Sequence, residues 1–288
     1  MEIIRNVRMM RQTASALRGG EKTIGFVPTM GALHEGHLSL VKRAREENDI
    51  TVVSIFVNPT QFGPGEDLEK YPRDIEGDME KLEAEGVDIL FLPEAVDIYP
   101  EGYSTYVNVE GITEGLCGRF REGHFRGVAT VVTKLFNIVR PTTAYFGQKD
   151  YQQSLVIKRL VRDLNFDIDI VVCPTVREPD GLAMSSRNQY LNEEERQAAT
   201  VIFKTLTLGV NLLKDGKSPK EVHDAMWEEM RKEPLVREIE YLSVYHPESL
   251  TDLAEVPADQ GRQSAYLLAA AVRIGSARLI DNILVEDI

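Results

Sequence analysis

Along the first two-thirds of this chain the apolar positions switch repeatedly between unbroken runs and helical spacing. Residues 23–28 form a short apolar run, and residues 36–48 set Leu38, Leu40, Val41 and Ala44 along one helical face. Residues 50–57 are a second continuous apolar run, the type buried on both faces of a parallel sheet. A charged, exposed helix is expected over residues 74–85 and a strand over 87–92. Residues 127–139 read as a strongly apolar helix that stops before Pro141. A strand over 143–146, a helix over 151–164 and a strand over 167–172 continue the alternation. That order predicts an α/β fold with a Rossmann-like, doubly wound parallel sheet. Ligands of such sheets bind beyond the carboxyl ends of the strands.

The pattern changes further on. Glu178-Pro179-Asp180-Gly181 is a turn signal and the best hinge candidate. Asn192, followed by Glu193, Glu194 and Glu195, predicts a capped helix running to about Lys214, and Ser218-Pro219 starts another. Residues 238–245, 264–272 and 278–284 read as strands. The expected division is a larger domain over residues 1–176 and a smaller C-terminal α+β lid domain over 177–288.

Three motifs, Pro28 to His37, Phe146 to Asp150 and Met184 to Asn188, are expected at strand ends, and Asn58 to Phe62 follows the second strand. Pro28-Thr29-Met30-Gly31-Ala32-Leu33-His34-Glu35-Gly36-His37 leads into a helix whose N-terminus carries unsatisfied N–H groups and partial positive charge. His34 and His37 can face one ligand and donate to phosphate oxygens, or stand as two exposed polar residues at a helix start. An HExxH zinc reading fails because position 38 is Leu38. Phe146-Gly147-Gln148-Lys149-Asp150 combines a side-chain-free approach at Gly147 with a point charge at Lys149; the same residues also suit an ordinary turn capped by Asp150. Asn58-Pro59-Thr60-Gln61-Phe62 offers uncharged amides for hydroxyls and a carboxylate, and Gln153 lies on the helix after Asp150. Farther along, Met184-Ser185-Ser186-Arg187-Asn188 supplies hydroxyls and a guanidinium suited to a leaving pyrophosphate in a mobile loop, or simply a polar linker. Gly118-Arg119-Phe120-Arg121-Glu122-Gly123-His124-Phe125 suits an acidic substrate or solvated charge. Asp74, Glu76, Asp78 and Glu80 suit a solvated helix face, with one of them able to hold Mg2+ through water.

Composition narrows the partners. The 288 residues are 27% charged and 43% hydrophobic, which suits a folded chain with a sizeable core. A net charge of -13 argues against general nucleic-acid or anionic-membrane binding, since both need clustered Lys and Arg. The two cysteines, Cys117 and Cys173, lack metal-like spacing and suit reduced thiols. Neither a signal-peptide core nor an apolar run of membrane-spanning length is evident, so a soluble cytoplasmic protein is expected.

In combination the motifs carry a resemblance. The segment from Pro28 to His37 resembles the HIGH-type signature of nucleotidylyltransferases and class I aminoacyl-tRNA synthetases, and Met184 to Asn188 looks like its second, mobile signature. With Gly123-His124-Phe125-Arg126-Gly127 and Ala277-Arg278-Leu279-Ile280-Asp281-Asn282 added, the pattern is similar to the pantoate–β-alanine ligases. The resemblance implies an ATP-dependent condensation of pantoate with β-alanine through pantoyl-adenylate, releasing pyrophosphate and AMP, in a homodimer. By the same resemblance His34, His37, Lys149, Ser185, Ser186 and Arg187 are the catalytic set and hold the ATP phosphates. Met30, Gly31, Gly147, Gln148, Asp150, Val176 and Met184 would complete the nucleotide contacts. Pro28, Thr29, Met30, Asn58, Gln61 and Gln153 would bind pantoate, and Asp78 would help hold Mg2+. Some relatives carry a second acid where this chain has Gly77. A synthetase fragment or a simple nucleotidylyltransferase is the rival enzyme reading, and an adenine-nucleotide sensor the rival binding reading.

Overall fold

Apolar runs without a polar face become strands covered on both sides. The computed structural model describes residues 1–257, 261 and 263–286. In chain order the elements are β1 (Glu2–Ile4), α1 (Val7–Gly19), β2 (Ile24–Thr29), α2 (Glu35–Glu47), β3 (Ile50–Ile55), α3 (Ile75–Ala84) and β4 (Ile89–Phe91). The short α4 (Ala95–Ile98) and α5 (Cys117–Phe120) precede α6 (His124–Val139), β5 (Thr143–Gly147), α7 (Tyr151–Asp163) and β6 (Asp169–Cys173). Then come α8 (Glu193–Ala198), α9 (Val201–Lys214), α10 (Pro219–Met230), β7 (Val236–Tyr245), β8 (Ala265–Ile274) and β9 (Ala277–Glu286). Two units divide the chain: Met1–Glu114, Arg121–Gln148 and Gln153–Pro174 make the first, and Gly115–Phe120, Lys149–Gln152 and Thr175–Ile288 the second.

The first unit is built on a six-stranded sheet in the order β1-β4-β3-β2-β5-β6. Every pairing in it is parallel. Successive residues of a strand point to opposite faces. Val27, Val53, Leu90 and Tyr145 therefore share one core with Leu40, Val41 and Ala44 of α2 and Leu82 of α3. Their neighbours Phe26 and Phe146 turn the other way and meet Phe136 of α6 edge to face, with centroids 6.5 Å apart in both cases. Helices thus cover both faces, as the alternation predicted. From β2 the chain passes through α2 to β3 on one side, while β5 joins β2 on the other. The strand order reverses at that point, where open α/β sheets take their ligands.

The N-terminal pair β1 and α1 was not anticipated. Its apolar stripe is thin, with only Met10 and Ala14 buried, and the cap at Asn6 is the clearer signal: its side chain accepts from the amides of Arg8 and Met9. The helix expected over residues 74–85 is less exposed than its charge suggested, because Asp78 and Leu82 are buried.

In the second unit β7, β8 and β9 form an antiparallel sheet. Leu242, Leu268, Ala270 and Val272 pack beneath Ile202 and Leu206 of α9 and Val222 and Met226 of α10. The single helix expected from residue 193 to residue 214 is broken in two. At the break Thr200 N and Ile202 N bond three residues back, to Gln197 O and Ala199 O, and the Thr200 hydroxyl donates to Gln197 O. This competition from the threonine hydroxyl tightens the turn and ends α8.

Helix α10 begins with a capping box, Pro219 standing at its first position. Glu221 accepts from both the amide and the hydroxyl of Ser218 at 2.9 Å. The Ser218 amide, then Lys217 and the Ser218 hydroxyl, pull its carboxyl from an ordinary 4.5 down to about 2. A carboxyl that ionises more readily when folded stabilises the fold above 4.5 and loses that contribution as pH falls toward about 2. Glu221→Gln should therefore lower the melting temperature at pH 7, and the gap from the parent should close across that acid window. A gap that persists at pH 2 would contradict the assignment.

Candidate active site

The turn after β2 puts two imidazoles side by side. Gly31 and Ala32 both adopt positive φ, +85 and +51, which swings the chain from strand to helix. His34 becomes the N-cap of α2, and its Nδ1 accepts the Gly36 amide at 3.1 Å. The Nδ1 of His37 faces the His34 amide at 3.4 Å, closing a capping box. An Nδ1 that accepts leaves the proton on Nε2. In each ring the proton therefore lies on Nε2, and the ring centroids are 4.1 Å apart. The amides of Ala32 and Leu33 are not available to a ligand, because the Asp78 carboxylate takes them at 2.8 and 2.7 Å. The side chains of this turn, and not these two amides, are therefore its candidate contacts for a ligand.

Beside it lies the amide-bearing turn after β3. Asn58 is only 1% exposed, and its carboxamide is used within the protein. Its Oδ1 accepts from Tyr99 at 2.8 Å and from the Thr60 hydroxyl at 2.9 Å, while its Nδ2 donates to Gln61 Oε1 at 3.0 Å and Gly127 O at 3.2 Å. Asn58 orients Gln61, which is itself buried and whose Nε2 points at the Met30 thioether 3.2 Å away. Sulfur is a weak acceptor, so a ligand oxygen near Met30 would be a better partner. Thr29 is likewise spent internally: its hydroxyl donates to Ser54 O and accepts the Gly31 amide. Pro28, Gln148 and Gln153 are partly exposed.

The residues from Arg121 to Gly127 turn out to brace this turn. His124 Nδ1 lies 2.9 Å from Gln61 O, which can only accept, so that nitrogen holds the proton. Its Nε2 then accepts from Arg121, 3.1 Å away, and Arg121 in turn forks onto both oxygens of Glu66. Burial raises the Glu66 carboxyl, but the Arg121 hydrogen bonds and charge outweigh it and hold the group below its ordinary value. Gly127 completes the brace, since a Cβ there would sit 2.3 Å from Thr60 O and 2.6 Å from Gln61 Cα. By contrast a Cβ at Gly147, the end of β5, meets nothing within 4 Å. The open space at Gly147 is what a closely approaching ligand requires.

The second unit holds the remaining candidates. Lys149 lies 3.8 Å from Asp150 across an ion pair, and its carbonyl accepts from Asn282 at 2.9 Å. Val176 and Met184 are brought together across a hairpin, the Met184 amide donating to Val176 O at 3.0 Å. The turn at residues 178–181 is tied at both sides. Arg177 reaches Gly181 O and forks onto Asp281, and Arg196 pairs with Glu178 and Asp180. Burial pushes the Asp281 carboxyl up while Arg177 pulls it back. Ser185, Ser186 and Arg187, expected in a mobile loop, lead a 3-10 turn, Ser186–Tyr190, whose N-cap is Ser185, and Asn188 is tied to Glu178 and Ala183 O. Neither Asn282 nor Asp281 was identified from its own chemistry; only the segment 277–282 carried a signal.

Mg2+ does not fit the acid offered for it. Asp78 is fully buried, its oxygens are bound by main-chain amides, and Lys81 lies 3.9 Å away. Among the described residues no group of three or more His, Cys, Asp or Glu side chains could cage a metal. The structure thus spends Asp78 differently from what the resemblance implies.

The family model for pantoate-beta-alanine ligase matches residues 2–284. The pantothenate synthetase of Thermodesulfovibrio yellowstonii is 64% identical over 99% of this chain and 100% of its own length. That of Moorella thermoacetica is 53% identical over 99% of both chains. Among solved structures, pantothenate synthetase from Thermus thermophilus shares 48% identity with a TM-score of 0.91, covering 98% of this chain and 99% of that one. Pantoate-beta-alanine ligase from Francisella tularensis, complexed with beta-gamma ATP and beta-alanine, shares 37% identity with a TM-score of 0.79 over 99% and 97% of the two chains.

The two glycines separate packing from ligand space. Gly127→Ala should destabilise the protein by about 1–3 kcal/mol in urea unfolding, because its Cβ strikes backbone. Gly147→Ala should leave the unfolding curve unchanged. Coincident curves for the two variants would overturn the account of how the Gln61 turn is braced.

Proposed function

The chain belongs to the pantoate–β-alanine ligase family, and from that footing we propose that it condenses pantoate with β-alanine through an enzyme-bound pantoyl-adenylate. In the first step a carboxylate oxygen of pantoate attacks the α-phosphorus of ATP. The bond from that phosphorus to the bridging oxygen breaks, and pyrophosphate leaves with the electron pair. In the second step the neutral amine of β-alanine attacks the acyl carbon and sheds a proton. The acyl C–O bond to phosphate then breaks, yielding pantothenate and AMP.

The observation that carries this reading is the paired Nε2–H donors of His34 and His37 at the end of the central strand, fixed by their Nδ1 contacts. Both attack at phosphorus and departure of pyrophosphate build negative charge on oxygens. A reaction of that kind needs fixed donors and alignment, not a protein nucleophile. His34 and His37 supply neutral donors; Lys149 and Arg187 supply charge, and Ser185 and Ser186 supply hydroxyls to the same phosphate chain. Lys149 stands as a compact cation whose main chain is held by Asn282. Gly147, Gln148, Asp150, Val176 and Met184 are proposed to meet the ribose and adenine. Pantoate is proposed to lie against Pro28 and Met30, with Gln61 Nε2 and Gln153 donating to its oxygens. Mg2+ enters as the partner of the ATP phosphates.

The decisive test is pyrophosphate release from ATP, Mg2+ and pantoate, first without β-alanine and then with it. A stoichiometric burst that becomes turnover on adding β-alanine, with AMP and pantothenate formed, is expected. No release under either condition would discard pantoate as the substrate. His37→Ala or Lys149→Ala should slow adenylate formation by about 10²–10³-fold, or roughly 3–4 kcal/mol, the usual loss for one transition-state donor. Pyrophosphate release near the parent rate in either variant would sink its assigned role.

A further inference from the structure

We infer that Asp78, with Lys81 one turn along α3, clamps the turn that carries the histidine pair, and that it is a positioning residue of the reaction and not a magnesium ligand. The kinetic half of this inference rests on the ligase reading; the structural half does not.

The argument begins with the backbone. Between β2 and α2 the chain places Gly31 and Ala32 consecutively in the left-handed region, at φ +85 and +51. Glycine adopts that conformation freely, whereas for Ala32 it is strained and persists only if the surroundings hold it. Such a turn directs the successive N–H groups of Ala32 and Leu33 toward one point. Concavities of this kind draw anions, and in many proteins the anion is a bound phosphate. Here the anion belongs to the chain. Asp78 Oδ2 takes the Ala32 amide at 2.8 Å and Oδ1 the Leu33 amide at 2.7 Å. Lys81 Nζ donates to Leu33 O at 2.8 Å and lies 3.9 Å from Asp78 Oδ1. The same two residues of α3 therefore hold the turn by its amides and by its carbonyl. On the other side Thr29 Oγ1 takes the Gly31 amide at 3.2 Å. His34, which follows Leu33, is the N-cap of α2.

The same contacts argue against a metal. Mg2+ demands near-octahedral oxygen ligation and keeps several of its waters. Asp78 has no exposed surface to admit them, and an ammonium group already stands beside it. Drawing its oxygens to a cation would leave the buried amides of Ala32 and Leu33 without their acceptor. Its neighbours do not complete a site. Gly77 has no side chain, and a Cβ there would lie 2.3 Å from Asp74 Oδ2, whose partner oxygen caps α3 at the Gly77 amide.

The test compares Asp78→Asn and Asp78→Ala with the parent. Hydrogen exchange of the peptide covering residues 30–38, measured by mass spectrometry without ligands, should quicken in Asp78→Asn and further in Asp78→Ala. The amide of Asn keeps one acceptor oxygen and turns an NH2 against the other N–H, so its effect is the smaller. In pyrophosphate release, kcat should fall by about 10–100-fold, since a displacement of about an ångström can cost about 10²-fold. The Mg2+ concentration giving half the maximal rate should stay within about twofold of the parent. Lys81→Met should shift exchange in the same direction by a smaller amount, and it serves where an Asp78 variant fails to fold. Unchanged exchange at residues 30–38 in the folded variants would overturn the clamp. So would a half-saturating Mg2+ raised tenfold or more, with the rate restored at high Mg2+, which is the behaviour of a lost metal ligand. A parent protein inactive with pantoate would count against the ligase reading, while the exchange measurement would still decide the clamp.

Discussion

A carboxylate that never meets water governs the shape of the histidine turn. Moving an unpaired charge into a protein interior is prohibitive, so a buried Asp persists only where donors surround it. Asp78 meets that condition with two backbone amides and a nearby ammonium. The donors it uses are those released by a strained, left-handed turn, and the turn is tolerable because the carboxylate is there. Each feature explains the other. The histidines follow immediately in the chain, so their ring positions inherit the precision of this contact, and their tautomers are set by the cap of α2.

Across the molecule the polar residues near the strand ends sort into those that hold and those that present. Asn58 holds, with both halves of its carboxamide engaged, and it fixes Gln61, whose Nε2 meets the weak sulfur acceptor of Met30. Arg121 and His124 hold the main chain of the same turn, a use that neither an acidic substrate nor solvated charge anticipated. Arginine in a forked pair with Glu66 is a rigid strut, and rigidity is what a donor needs if it is to favour the transition state over bulk water. Residue type alone does not separate the two classes. An amide and a guanidinium are equally suited to a ligand or to a neighbouring carbonyl.

That limit marks how far the amino-acid sequence could be read. Unbroken apolar runs and helical spacing located β2, α2, β3, α6, β5 and α7 to within a few residues, because each has a strong local pattern. Local chemistry also located the caps at Asn192 and Ser218. The interruption near Thr200 was missed because it arises from a hydroxyl competing with the backbone inside an otherwise helical pattern. Helix α1 was not read, although Val7, Met10, Ala14 and Leu17 stand at helical spacing on its inner face. Among the candidate residues, Gln61 Nε2 lies 3.2 Å from the Met30 sulfur, and the rings of His34 and His37 lie side by side. The task of Asp78 was invisible, since its partners lie 45 and 46 residues away and are main-chain amides that any residue could supply.

The second unit shows the same economy of means on a different frame. Arg177 and Asp281 form a largely buried pair, and such pairs often stabilise a fold less than apolar residues of similar size would. Their value is directional. The guanidinium also reaches Gly181 O and Asn282 O and lies over the Phe203 ring, 4.2 Å from its centroid, so one side chain fixes the hairpin register against β9. The next residue of β9, Asn282, holds the carbonyl of Lys149. Two adjacent positions on one strand thereby set both the hairpin that leads into Met184 to Asn188 and the main chain of the lysine. A hydrophobic replacement could fill that volume, but it could not specify which way the hairpin turns or where the lysine starts. Polar burial persists here because orientation, more than stability, is what these segments require.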